Sequence, residues 1–252
     1  MTYILLTNDD GVNAAGILAL AGAIRELADE VQVIAPAENQ SMSGHKITLF
    51  QDIKVVEGLT LANGVPAMAV HGSPADCIAL ASHKLVAWPP RLVVSGINRG
   101  ANMGQDIFYS GTVSAAIEAA IQGIPALAVS LDNHDADQVE DYVVAARLAA
   151  RVVARMLDHS MAEFTVLNLN VPHQVDVKGI RLTRTGVRIY NDEIIRDGDT
   201  VRVVGDVPTG VTDTLGTDLW AVHNGYASLT PLNLDPTHHQ VMAEIAAWDV
   251  TG

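Results

Sequence analysis

The chain has 252 residues, 49% hydrophobic but only 4% aromatic, with Ala, Val, Leu and Ile dominating, which suits buried parallel strands between Ala-rich helices. Against 29 acidic residues stand 15 basic ones, a formal charge of −14 that opposes non-specific binding to nucleic acid or to an anionic membrane. The single cysteine, Cys77, rules out an internal disulfide, and no basic-then-apolar leader or apolar stretch of roughly 18 residues occurs, so a cytoplasmic protein without signal peptide or membrane span is expected.

Residues 3–7 predict a buried first strand, after which Ile17, Leu20, Ala21, Ile24 and Leu27 recur at helical spacing. Residues 31–35 predict the second strand, ended by Pro36. Residues 47–61 predict a β-hairpin insertion with its turn at Glu57-Gly58. Residues 67–70 form a strand leading into a helix over 74–85, with Ser73 as cap and Pro74 at the first helical position. Cys77 falls in this apolar stretch and reads as a small core residue. Further strands are expected at 92–95, 126–130 and 165–169, alternating with helices around 113–121 and over 138–157. The alternation predicts an α/β, Rossmann-like, doubly wound and mostly parallel sheet occupying residues 1–179. Residues 180–224 are rich in Thr, Asp and Gly with short β-like runs such as 201–204, and predict a β-rich arm or subdomain for packing on a partner chain. A strand over 226–230 and a helix over 237–248 close the chain within a last segment, 225–252.

Chemistry concentrates where strands end. Asn8-Asp9-Asp10-Gly11 follows the first strand directly, and in an open α/β sheet that edge is where ligands bind. Two adjacent carboxylates repel unless a cation sits between them. A solvated turn, or Asp as a helix N-cap, needs no ion, and from this fragment alone both readings stay open. The loop over 36–45 is long for a βα connection, the run 96–104 follows another strand, and Tyr109-Ser110-Gly111-Thr112-Val113 opens a helix. Ser-Gly-Thr at a helix start is either an ordinary cap or a phosphate cradle of free N–H groups and hydroxyls. No G-x-G-x-x-G turn, Walker loop, H-E-x-x-H or Cys/His zinc spacing occurs. His45 in the polar loop and His71 after a strand are the histidines worth placing, His71 as a structural residue.

Taken together, Asn8-Asp9-Asp10-Gly11, the loop 36–41, the run 72–77, Ser95-Gly96-Ile97-Asn98-Arg99-Gly100-Ala101-Asn102 and the run 109–113 closely resemble the SurE family of metal-dependent nucleoside monophosphate phosphatases. The resemblance continues through residues 168–172, Thr217-Asp218 and residues 228–232, in order and over nearly the whole chain. It departs at Ser73, where the family usually has Thr, and at Met42-Ser43.

The resemblance implies one divalent ion per subunit, Mg²⁺ or Mn²⁺, held by Asp9, Asp10, Ser41 and Asn98, with Asn102, Ser110, Gly111 and Thr112 holding the phosphate. It implies hydrolysis of nucleoside 5′- and 3′-monophosphates to nucleoside and phosphate, and a homodimer or dimer of dimers with a C-terminal arm exchanged between subunits. These are hard oxygen donors that leave positions for water and a phosphate oxygen. In-line attack by a metal-bound water is the expected mechanism, with Asp9 or Asp10 orienting that water and His45 as a weak candidate to protonate the leaving oxygen; a covalent aspartyl-phosphate on Asp9 is the competing one. Two other function classes share such a pocket: a nucleotide sensor without turnover, and a nucleotide-sugar-dependent transferase.

Overall fold

The five residues of β1 (Tyr3–Thr7) are buried along their whole length, and their side chains alternate between two cores. Ile4 and Leu6 pack with α1 (Ala15–Ile24), while Tyr3 and Leu5 face the opposite side of the sheet. The structure, a computed structural model, describes residues 1–205 and 208–248. β1 pairs in parallel with β2 (Glu30–Pro36) on one side. The chain continues through β3 (Val55–Thr60), β4 (Pro66–Val70) and α2 (Pro74–Leu80), then crosses to β5 (Leu92–Arg99) on the other side of β1. Next come α3 (Gly111–Ile121), β6 (Ala126–Asp132), α4 (Val143–Asp158) and β7 (Thr165–Pro172). α1 and α4 cover one face and α2 and α3 the other, with Cys77 fully buried in the second core. The strand order therefore reverses between β1 and β5, which makes the crevice there the topological switch point.

Three expectations change. The hairpin is β3 against β4, antiparallel, and its turn lies at Asn63-Gly64 rather than Glu57-Gly58. The loop is Ala62-Asn63-Gly64, closed by Leu61 N on the Val65 carbonyl with Gly64 at positive φ, whereas Glu57-Gly58 falls on a register shift between Val56 and Leu59. The strand at 47–54 does not form, and that stretch runs as an extended loop. The helix expected over 138–157 opens instead with a tight turn, Val139–Tyr142, before α4 begins.

Beyond β7, β8 (Ile180–Leu182) joins the main sheet in parallel with the last strand, β13 (Ala227–Asn233), and α5 (Asp218–His223) packs on β13. What leaves the body is the stretch between them. There β9 (Arg188–Ile189) pairs with β12 (Thr209–Gly210), and β10 (Asp192–Asp197) with β11 (Thr200–Gly205). Ile194, Ile195, Val201 and Val203 of that outer hairpin are exposed. α6 (His239–Ile245) buries none of its residues, and Trp248 beyond it is exposed too. Residues 206–207 of the expected arm and 249–252 of the closing segment lie outside the described residues. No helix among the described residues is long and apolar enough to cross a membrane.

Candidate active site

β1 stops at Thr7 because the next residues must turn over the sheet edge. Asn8 Nδ2 donates to the carbonyl of Gly11 at 2.8 Å, and Gly11 takes a φ of +104°, which glycine adopts without a Cβ penalty. The turn sends Asp9 and Asp10 into the same crevice. Asp9 is only 3% exposed and lies against the start of α3: its Oδ1 accepts from Thr112 Oγ1 at 2.6 Å and its Oδ2 from Thr112 N at 3.1 Å. A Cβ on Gly111 would come within 2.8 Å of Asp9 Cβ, so the helix can approach the carboxylate only with glycine there. Asp10 accepts from the backbone N–H of Arg99 at 3.0 Å and from Asn39 Nδ2 at 3.2 Å.

Burial pushes the Asp9 carboxyl up to about 6, against the lowering effect of the Thr112 hydroxyl and with added repulsion from Asp10. Asp10 is raised as well, again chiefly by burial, with the Arg99 N–H opposing. Two neighbouring acids that both resist ionisation mark a place short of positive charge.

Asn98 reaches the crevice through a bulge. The register of β5 on β6 shifts between Ser95 and Asn98, and Gly96, at φ +139°, sits where a Cβ would lie 2.3 Å from the Val129 carbonyl oxygen. Asn98 Nδ2 donates to the carbonyl of Gly100 at 2.8 Å, leaving its Oδ1 without a protein donor among the described residues. Ser41 arrives on the loop after β2, which is drawn to the site by Gln40 N donating to the Asp9 carbonyl at 2.7 Å. The same loop is anchored farther on, where Thr48 donates twice to buried Asp76 and His45 Nε2 lies 2.9 Å from Glu118 Oε2. His45 is thus an anchor on α3; it does not line the crevice, and no proton transfer is assigned to it.

Asp9, Asp10, Ser41, Asn98, Asn102 and Ser110 line one cavity of about 460 Å³. Ser110 Oγ also caps α3 by accepting from Val113 N at 3.1 Å. Asn102 is held rigidly, its Nδ2 on Ser130 Oγ at 2.8 Å and its backbone on Asn168 and Asn170. Gly111 and Thr112 stand behind Asp9, and both donors of Thr112 are taken by that carboxylate. The cavity also contains residues that sequence reasoning missed, Asp106, His134, Arg188 and Tyr190 among them. Asp106 lies between two runs that were singled out, and the arm residues carry no local motif.

Among the described residues no three His, Cys, Asp or Glu side chains cluster as a metal site. Ser41 and Asn98 line the same cavity as the carboxylate pair and could offer neutral oxygens to an ion held there. Such a hard, all-oxygen donor set fits Mg²⁺ or Mn²⁺, and a divalent ion there would offset the charge of the two carboxylates.

The family model described as "Survival protein SurE" matches residues 4–192. Curated relatives named "5'-nucleotidase SurE" include that of Symbiobacterium thermophilum, 41% identical with 100% of both chains covered. The relative from Geobacter sulfurreducens is 42% identical over 98% of this chain and 94% of its own. The crystal structure of the SurE protein from Aquifex aeolicus superposes with a TM-score of 0.83 at 36% identity, covering 98% of this chain and 99% of that one. The chain belongs to the SurE family.

Proposed function

We propose that this protein is a metal-dependent 5′-nucleotidase that hydrolyses nucleoside monophosphates to nucleoside and phosphate at the crevice between β1 and β5. The observation that carries the reading is the pair of adjacent acids, buried Asp9 and half-buried Asp10, sharing one cavity with the N-terminus of α3. Its relatives' shared name, over full-length matches, supports the same activity.

Asp9, Asp10, Ser41 Oγ and Asn98 Oδ1 are the residues that would hold a divalent ion. When bound, such an ion supplies Lewis acidity and offsets the two carboxylates. The chain's own groups do the rest. Thr112 fixes the Asp9 carboxylate through two bonds, and Asn39 with the Arg99 N–H fixes Asp10. The phosphate is received by the Ser110 hydroxyl, the Gly111 N–H and the positive end of α3, with Asn102 beside them. Arg99 in the cavity wall supplies local positive charge in a protein of charge −14, whereas the guanidinium of Arg188 is committed to Asp106. A carboxylate of the pair orients the attacking water in line with the leaving nucleoside oxygen and accepts its proton; as the water oxygen bonds to phosphorus the bond from phosphorus to the nucleoside oxygen breaks, and that oxygen takes a proton from solvent.

A homodimer or dimer of dimers is part of this reading, supported by the exposed apolar residues of the β10–β11 hairpin and by the unburied α6. The unpaired, buried Cys77 supports a reducing compartment such as the cytoplasm.

The test is phosphate release from a panel of nucleoside 5′- and 3′-monophosphates, with EDTA, then with Mg²⁺ or Mn²⁺ restored, and with Asp9→Asn. Release that needs the ion and falls roughly 100-fold or more in the variant is expected. Release that persists in EDTA would overturn the metal dependence, and no release with any ion would overturn the activity.

A further inference from the structure

Asp106 sits where two ends of the cavity meet. Its carbonyl accepts from the N–H groups of Tyr109 at 3.0 Å and Ser110 at 3.1 Å, which builds the turn that delivers Ser110 to α3. Its side chain reaches the other way. Oδ2 accepts from Arg188 Nε at 2.5 Å and Oδ1 from the Tyr190 hydroxyl at 2.7 Å. Arg188 is tied further by its Nη1 on the Pro208 carbonyl at 3.1 Å and its backbone N–H on Gln105 Oε1 at 2.7 Å. The side chains of Arg188 and Asp106 are 9% and 17% exposed. A withdrawn, multiply bonded ion pair of this kind is worth more for geometry than for stability. The root of the arm is seated too: buried Asp218 accepts from Gly104 N at 2.9 Å and Gly186 N at 2.7 Å.

What this network holds in place is an aromatic ring. Tyr190 has its hydroxyl tethered yet stays 41% exposed, and it lines the same cavity as Asp9 and Asp10. Tyr109, 57% exposed, lines the cavity from the α3 side. Among the described residues the stacked aromatic pair is Trp220 with Tyr226, so neither tyrosine at the cavity is covered by another ring. With the phosphate at the carboxylates and Ser110, the remainder of about 460 Å³ is left for the other half of a monoester. Open tyrosine faces beside a guanidinium suit a flat, π-faced group.

We propose that Tyr109 and Tyr190 form the nucleobase-facing wall of the cavity and that the Asp106–Arg188 pair positions Tyr190, making the arm a specificity element of the active site. The proposal rests on the nucleotidase reading and is separable from it, because a nucleoside 5′-monophosphate and ribose 5-phosphate differ only in the base. Steady-state kcat/KM on both substrates is to be compared for wild type, Tyr109→Leu, Tyr190→Leu and Asp106→Asn. Each variant is expected to lose 10- to 100-fold on the nucleotide, chiefly through KM, while ribose 5-phosphate stays within about twofold. Equal losses on both substrates would overturn the proposal, since they would mark a general structural or phosphate-binding role. An unchanged nucleotide KM in both tyrosine variants would overturn it as well. The tyrosine variants alter exposed rings, so the test stands even where Asp106→Asn fails to fold. A wild type that releases phosphate from neither substrate would bring down the nucleotidase reading and this proposal together; a wild type active on both, with flat variants, brings down this proposal alone.

Discussion

Asp9 shows at the scale of one residue how a site is bought at the expense of the fold. Its folded-state value of about 6 lies above the ordinary carboxylate value of 3.8. The stability that goes with the neutral form is therefore complete below about pH 4 and is lost as pH rises through 6. At neutral pH the metal-free protein carries a penalty on the order of 3 kcal/mol at this side chain. Asparagine removes the charge and can keep both contacts, its oxygen accepting from the Thr112 N–H and its amide donating to the Thr112 hydroxyl. In EDTA at pH 7.5, Asp9→Asn is expected to raise Tm by about 5 °C or more, with a smaller gain at pH 5. Thermal melts at the two pH values check this; a lower Tm for the variant at both would refute it. The same substitution is expected to cut phosphate release, so that stability and activity would move in opposite directions.

At the scale of elements, α3 does two jobs with one terminus: it caps itself through Ser110 and clamps Asp9 through Thr112. Both need Gly111. Gly111→Ala places a Cβ 2.8 Å from Asp9 Cβ and 3.0 Å from Ser43 Oγ, and the carboxylate must shift. An activity loss of roughly 100-fold is expected with the helical circular dichroism retained, because small misplacements of reacting groups are costly. Near wild-type kcat would show that the clamp is dispensable. The Ser-Gly-Thr run was visible in the sequence as a cap or a cradle, and its bond to Asp9 was not, since 103 residues separate the partners. The alternating strands and helices were legible because each carries its own period. The hairpin turn was misplaced because two glycines, Gly58 and Gly64, both adopt positive φ. The choice between them is made by β4, which is already committed to β2 and leaves β3 to fold back at Asn63-Gly64.

For the whole molecule, the sheet edge explains which parts of the site could be read in advance. Asp9 and Ser41 follow strands and Asn98 sits at the C-terminal end of β5, so a parallel sheet gathers them whatever lies between. Arg188 and Tyr190 meet Asp106 across 82 and 84 residues, through an arm whose course no local pattern specifies. The outer hairpin of that arm pairs Ile194 with Val203 directly, and both are exposed. Replacing the two by Glu and Lys is expected to weaken self-association; light scattering at matched concentrations reads it, and an unaltered mass in the double variant would sink the idea. Tyr190 stands two residues ahead of β10, and Asp192, the first residue of that strand, lines the cavity itself. The stretch proposed to face a substrate's base is thus the doorstep of the hairpin proposed to meet a second copy. Should copies of the chain pair through that hairpin, diluting them until they part is expected to slacken the hold on nucleotides before it touches the chemistry, and choosiness would then depend on the company the subunit keeps.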